Sequence, residues 1–221
     1  MKKINKHVVV TREQIINTLQ FLYHTGLARI TKDVLALHDQ DFEVLTWKNH
    51  VPGRHNAGKS FTRLNQYMSI YETGAYHCIL YDGSIIRAFF KFHRNILKEE
   101  SLLYWPAPIE IPEDEIEELG IREAISMYMS DVDLRNGHLL MRSPCRLDYD
   151  SVNVNASHPE THLHIQHEEC RISVKKPICF NTFIKFIFKN FYPNKYRKDL
   201  DELDRMNYSG GNIYEKAVVC L

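Results

Sequence analysis

The sequence predicts an α+β fold: an antiparallel sheet with an N-terminal helix and a C-terminal helix packed on it. Two strand-like runs meet across Asp82-Gly83, a dipeptide favoured in hairpin turns. Residues 139–149, 161–166 and 170–174 alternate polar and apolar side chains, the period of a half-buried strand. Apolar residues recur at helical spacing near both ends of the chain.

The first helix follows Thr11 and Gln14, which fit a capping box, and Ile15, Leu19 and Leu22 repeat at helical spacing until Gly26, a natural stop. Residues 42–47 read as a strand, 49–60 as a loop carrying Pro, Gly, His and Lys, and 64–72 as a further helix. The hairpin spans residues 76–81 and 84–92, with Asp82-Gly83 expected as a two-residue turn. A strand over 102–105 ends at Pro106-Ala107-Pro108, and residues 110–118 then place six acids on what reads as a solvated loop or helix face. After the alternating strands, Phe183, Ile184, Ile187, Phe188 and Phe191 define a last helix, with Asn181 as its expected cap and Pro193 as its limit. The charged stretch 195–205 suits a short exposed helix.

The composition fits one domain over 1–221, divided into a helical N-terminal part (1–75), the sheet with its packing helix (76–193) and a tail (194–221). Hydrophobic residues are 44% and charged residues 25% of 221, ordinary globular values. Lys plus Arg and Asp plus Glu are 28 each, so no global field draws the chain to nucleic acid or membrane, and such binding needs a local patch. The apolar run within residues 1–10 is too short for a signal segment, which gives an expected cytoplasmic location and no membrane partner. The five cysteines, Cys78, Cys145, Cys170, Cys179 and Cys220, lie in or beside apolar runs without a C-x-x-C pair and read as reduced, mostly buried thiols.

Gly53-Arg54-His55-Asn56-Ala57-Gly58-Lys59-Ser60 matches the phosphate-binding P-loop pattern, and residues 78–82 even resemble an apolar strand ending in a magnesium-binding acid. That site needs a parallel sheet with crossover helices, whereas Asp82-Gly83 turns the chain straight back. A flexible basic loop is the better account of it.

The chemistry-bearing pattern lies further on. The period of two puts Arg146, Asp148 and Asp150 on one strand face, and His162 and His164 on one face of the next strand, with Leu163 and Ile165 turned to the core. If a third strand returns alongside, Arg171 and Ser173 join them. Such a set can exchange protons near neutral pH and stabilise phosphate charge. It could instead hold a divalent ion with His158, His162, His164 and the aspartates, although no established zinc spacing is matched. Or it is the wet face of an antiparallel sheet.

Five stretches together resemble the bacterial domain of unknown function 2290: Tyr81-Asp82-Gly83-Ser84, Trp105-Pro106-Ala107-Pro108, Arg146-Leu147-Asp148-Tyr149-Asp150, His158-Pro159 with His162-Leu163-His164-Ile165, and Cys170-Arg171-Ile172. The resemblance runs from about residue 76 to 193. The order of an acid-bearing strand, a His-x-His strand and a helix is also similar to TumE-type toxins of toxin–antitoxin pairs. These resemblances imply a toxin-like or antiphage effector acting on RNA or nucleotides, with a protein partner or antitoxin; joined to the strand-face chemistry, they make Arg146, Asp148, Asp150, His162, His164 and Arg171 the expected catalytic set of a ribonuclease or nucleotidyl-transfer enzyme. The rival expectation is a non-catalytic subunit of a defence or toxin–antitoxin complex. No cofactor is named by the sequence.

Overall fold

The structure, a computed structural model, describes residues 6–50, 63–155 and 157–208. The P-loop-like stretch 53–60 and Cys220 lie outside them.

The chain opens with α1 (Lys6–His24), longer than the capping box suggested. Thr11 is not a cap: its hydroxyl is buried 3.1 Å from the Tyr208 hydroxyl, and Gln14 Nε2 donates to the Asp204 carbonyl at 3.0 Å. Val8, Ile15, Leu19 and Leu22 form the buried stripe, and the helix gives way to Gly26 at φ +74, in the left-handed region that favours glycine.

Next come β1 (Ala28–Thr31), β2 (Leu35–Asp39) and β3 (Phe42–Thr46), then α2 (Leu64–Thr73). The expected helical N-terminal part is therefore corrected: helices bracket three strands, two of which give no clean sequence signal. Residues 28–31 are short and do not alternate in burial, and residues 35–39 alternate only between half-buried and exposed, without a fully buried face.

The central hairpin joins β4 (Cys78–Leu80) to β5 (Ile85–His93). Leu80 N–H donates to the Ser84 carbonyl at 2.8 Å, so the loop is the three residues Tyr81-Asp82-Gly83 rather than two. Gly83 takes φ +89, and an added Cβ would sit 3.3 Å from Ile125 and 3.5 Å from Ala107. Both the conformation and the close approach call for glycine.

Then β6 (Ile96–Trp105) leads to three short helices, α3 (Glu113–Leu119), α4 (Ile121–Ser130) and α5 (Val132–His138), and β7 (Cys145–Asp150), β8 (Thr161–Ile165) and β9 (Ile172–Ser173) complete the sheet. The acids of α3 are mostly exposed, as expected. The strand order is β1-β4-β5-β6-β7-β8-β9, every pair antiparallel; β3 pairs with β5 beyond the end of β4, and β2 pairs with β3.

The last helix, α6 (Phe180–Phe191), is capped at Cys179, not Asn181. Asn181 lies inside it, accepts a hydrogen bond from the Thr18 hydroxyl of α1 and donates to the Asp204 carbonyl at 2.9 Å. This polar clasp joins α1, α6 and the tail, whose charged stretch forms 3-10 turns rather than an α-helix. Both helices cover one sheet face, burying Ile86, Ala88, Phe90, Leu102, Leu147 and Leu163. On the opposite face, α2 and α4 pack on Ile79, Ile85, Leu103 and Trp105. The remainder of that opposite face is polar, and it positions the candidate site.

Candidate functional site

Register brings the predicted residues together. Arg146 on β7 pairs with His164 on β8, Asp148 pairs with His162, and Ser173 of β9 lies beside His162. All project from the face opposite α1 and α6, because their neighbours Leu147 and Leu163 belong to the helix-covered core.

The centre is the Asp148 carboxylate. Arg146 Nε donates to Oδ1 and Oδ2 at 2.9 and 2.7 Å, and its Nη2 lies 2.6 Å from Oδ2. His164 Nε2 is 3.1 Å from the same Oδ2. Burial alone would push this carboxyl up, but the guanidinium and the histidine hydrogen bond outweigh it and hold the group well below the usual carboxylate range. A carboxylate can only accept, so His164 presents Nε2–H to it.

His162 is oriented differently. Its Nδ1 lies 2.7 Å from the Pro159 carbonyl and must carry the proton it donates there. Burial lowers its pKa to about 4, Asp148 pulling weakly the other way, so the ring is neutral at pH 7 with an unprotonated Nε2. Its ring stands 4.7 Å from His164 and 4.6 Å from His158, edge to face in both cases.

A residue missed in the sequence completes the cluster. Arg87 on β5 is 5% exposed, its guanidinium 4.4 Å from the Trp47 ring centroid. Burial and the neighbouring Arg146 charge lower its pKa to about 9. The available signal was an arginine inside the apolar run Ile85-Ile86-Arg87-Ala88-Phe89-Phe90.

Two expected members stand apart. Asp150 shares the face, but its carboxylate accepts from Val152 and Asn153 backbone N–H groups at 2.8 and 3.1 Å and from Asn153 Nδ2 at 2.6 Å, so it shapes the β7–β8 loop. Arg171 precedes β9 and is exposed. The expectation of a wet sheet face is also corrected: His162 is 1% and His164 2% exposed, and only partial access remains at Asp148, Ser173 and His158. Ile165, expected in the core, is 38% exposed.

Asp148, His162 and His164 each offer a ligand atom within 4.8 Å of the others, a set that suits a divalent ion by residue type. The electrostatics favour an anion instead. Arg146 already engages both oxygens of Asp148, and among the described residues the cluster sets two buried guanidinium charges against one carboxylate.

An antiparallel α+β protein with a buried Arg/Asp/His cluster on its sheet is thus the class that fold and site define. Residues 29–217 match the family described as an uncharacterized conserved protein (DUF2290), and the chain belongs to that family. The match extends the relationship upstream of residue 76 to take in β1, β2, β3 and α2. No curated protein and no solved structure matches the chain. Among the described residues, no helix is long and apolar enough to cross a membrane.

Proposed function

We propose that the cluster is an acid–base site for a phosphate ester, and that the protein is a toxin-like or antiphage effector that cleaves RNA or transfers a nucleotidyl group. The observation that carries this reading is the pairing of a neutral imidazole with a carboxylate-held one beside two buried guanidiniums. His162 Nε2 takes the proton from an attacking hydroxyl and passes it on to the leaving oxygen, the Asp148–His164 pair holds the neighbouring ring in place, and Arg146 and Arg87 stabilise charge on the phosphorus oxygens. A bound phosphate raises the His162 pKa from about 4 toward neutrality, which makes the ring a stronger base for the attacking hydroxyl. Burial suits a single inserted phosphate-bearing group over a duplex laid across an open sheet.

The test compares inducible expression of the wild type with His162→Gln, together with purified protein on RNA in the presence of a chelator. The expected result is growth arrest and chelator-resistant RNA cleavage in the wild type alone, with circular dichroism showing both proteins folded. A harmless wild type that leaves RNA and nucleotides intact would refute the effector and support the rival, a non-catalytic subunit.

A further inference from the structure

A second site lies outside the proposed chemistry. Beyond the end of β6, a cleft of about 640 Å3 opens between the β4–β5 turn, the loop before α3 and the end of α6, well inside the range of about 300–1,000 Å3 typical of ligand pockets. Two motifs that the acid–base cluster does not use, Tyr81-Asp82-Gly83-Ser84 and the segment after Trp105, meet here.

Its floor is a closed polar network. The Tyr192 hydroxyl lies 2.9 Å from Asp82 Oδ2, 2.8 Å from Ser84 Oγ and 3.0 Å from the Tyr104 hydroxyl. Ser84 Oγ also accepts the Ala107 N–H at 2.9 Å, and Arg142 reaches Asp82 at 3.4 Å. The Asp82 and Arg142 charges offset one another, so the floor is rigid and close to neutral.

The walls decide the ligand. Ile109, Ile111 and Ile116 are buried along one side, while Ile165 and Phe191 stay 38% and 45% exposed on the other. Apolar side chains left open beside a cavity mark an interaction surface. Glu110 and Glu113 stand exposed at the rim; Arg29 reaches Glu113 only at 4.0 Å, and the C-terminal end of α6 adds partial negative charge. The Lys195 ammonium, 4.9 Å from the Tyr81 ring centroid, lines the adjoining cleft rather than this one. The excess charge has the opposite sign to that of the acid–base cluster, so the cleft repels the phosphate ester proposed above.

We propose that this cleft binds a partner protein through a lysine or arginine seated between Glu110 and Glu113, with a neighbouring large apolar side chain laid against Ile165 and Phe191. The reading does not depend on the acid–base assignment, because none of these residues belongs to that cluster.

The experiment titrates the full chain with the peptide acetyl-Leu-Arg-Phe-amide, and with versions carrying Gln or Glu in place of Arg, by calorimetry at low and high salt. The Arg peptide should bind, and about tenfold more tightly than the Gln peptide. High salt, or the double variant Glu110→Gln with Glu113→Gln, should erase that difference, and Phe191→Ser should abolish binding, while RNA cleavage is unchanged in all these variants. Equal binding of the Arg and Gln peptides, no binding by the wild type, or binding unaffected by Phe191→Ser would each overturn the proposal. So would self-association of the wild type that Phe191→Ser removes, which would make a second copy the occupant, or displacement of the peptide by an RNA oligonucleotide.

Discussion

Asp148→Asn isolates the electrostatics at the centre of the cluster. The substitution keeps the side chain's shape but removes the charge to which Arg146 donates at 2.6 to 2.9 Å. Arg146 is 8% exposed, so its guanidinium cannot turn to water without opening the sheet face. Two unit charges about 4 Å apart interact by about 4 kcal/mol at an effective dielectric of about 20, and removing one partner of a buried pair costs about 3–5 kcal/mol. The Asp148 side chain keeps 18% exposure and the amide still accepts one hydrogen bond, which places the expected loss near 3 kcal/mol. That is a large fraction of the about 5–15 kcal/mol that holds a domain folded. Urea unfolding should show a lower midpoint with an unchanged slope. The companion Arg146→Met with Asp148→Leu should recover most of the loss, because the Arg146 charge is removed along with its carboxylate and Arg87 alone stays buried on the Trp47 ring, yet remain inactive on RNA. A cost below about 1 kcal/mol for Asp148→Asn, or a double variant as unstable as the single one, would refute the buried-pair account.

Two further outcomes follow from the buried ionisable groups. Burial lowers the pKa of both His162 and His77 to about 4, so the unfolded chain binds their protons first and stability must fall as pH drops from about 6.5 toward 4. Each contributes up to about 3 kcal/mol, Asp148 adds its loss at still lower pH, and His162→Gln should flatten the urea-midpoint profile in this window; a profile identical to wild type would contradict the assignment. Glu100, buried on the helix-covered face between Phe90 and Tyr149, has its carboxyl pushed well up by burial against a weaker pull from the Ile178 backbone N–H. The unfolded state ionises first as pH rises, so Glu100→Met should stabilise the protein by about 1–3 kcal/mol at neutral pH and by more at alkaline pH, and a destabilised variant in thermal melts would show that the carboxyl is satisfied.

Local periodicity carried much of the candidate site. Arg146 with Asp148, and His162 with His164, share a face because side chains on a strand alternate, and the hairpin at Asp82-Gly83 excluded a parallel sheet before any strand was placed. Asp150 and Arg171 satisfy the same parity, yet a local loop captured one and the short β9 left the other outside. Parity cannot distinguish those fates, because it fixes the side of the strand and not what the side chain meets there.

The sequence by itself determined the α+β class, the apolar stripes of the first and last helices, and the side of the sheet on which the polar residues lie, since each follows from spacings within a few residues. Only the tertiary structure decided that Arg87 from β5 joins a cluster built on β7 and β8, that the polar face is buried, and that Tyr192 closes a network with Asp82 and Ser84 more than 100 residues away. Those contacts depend on strand order and on the packing laid over each face, which arise from the whole chain's competition for burial and have no counterpart in local sequence spacing.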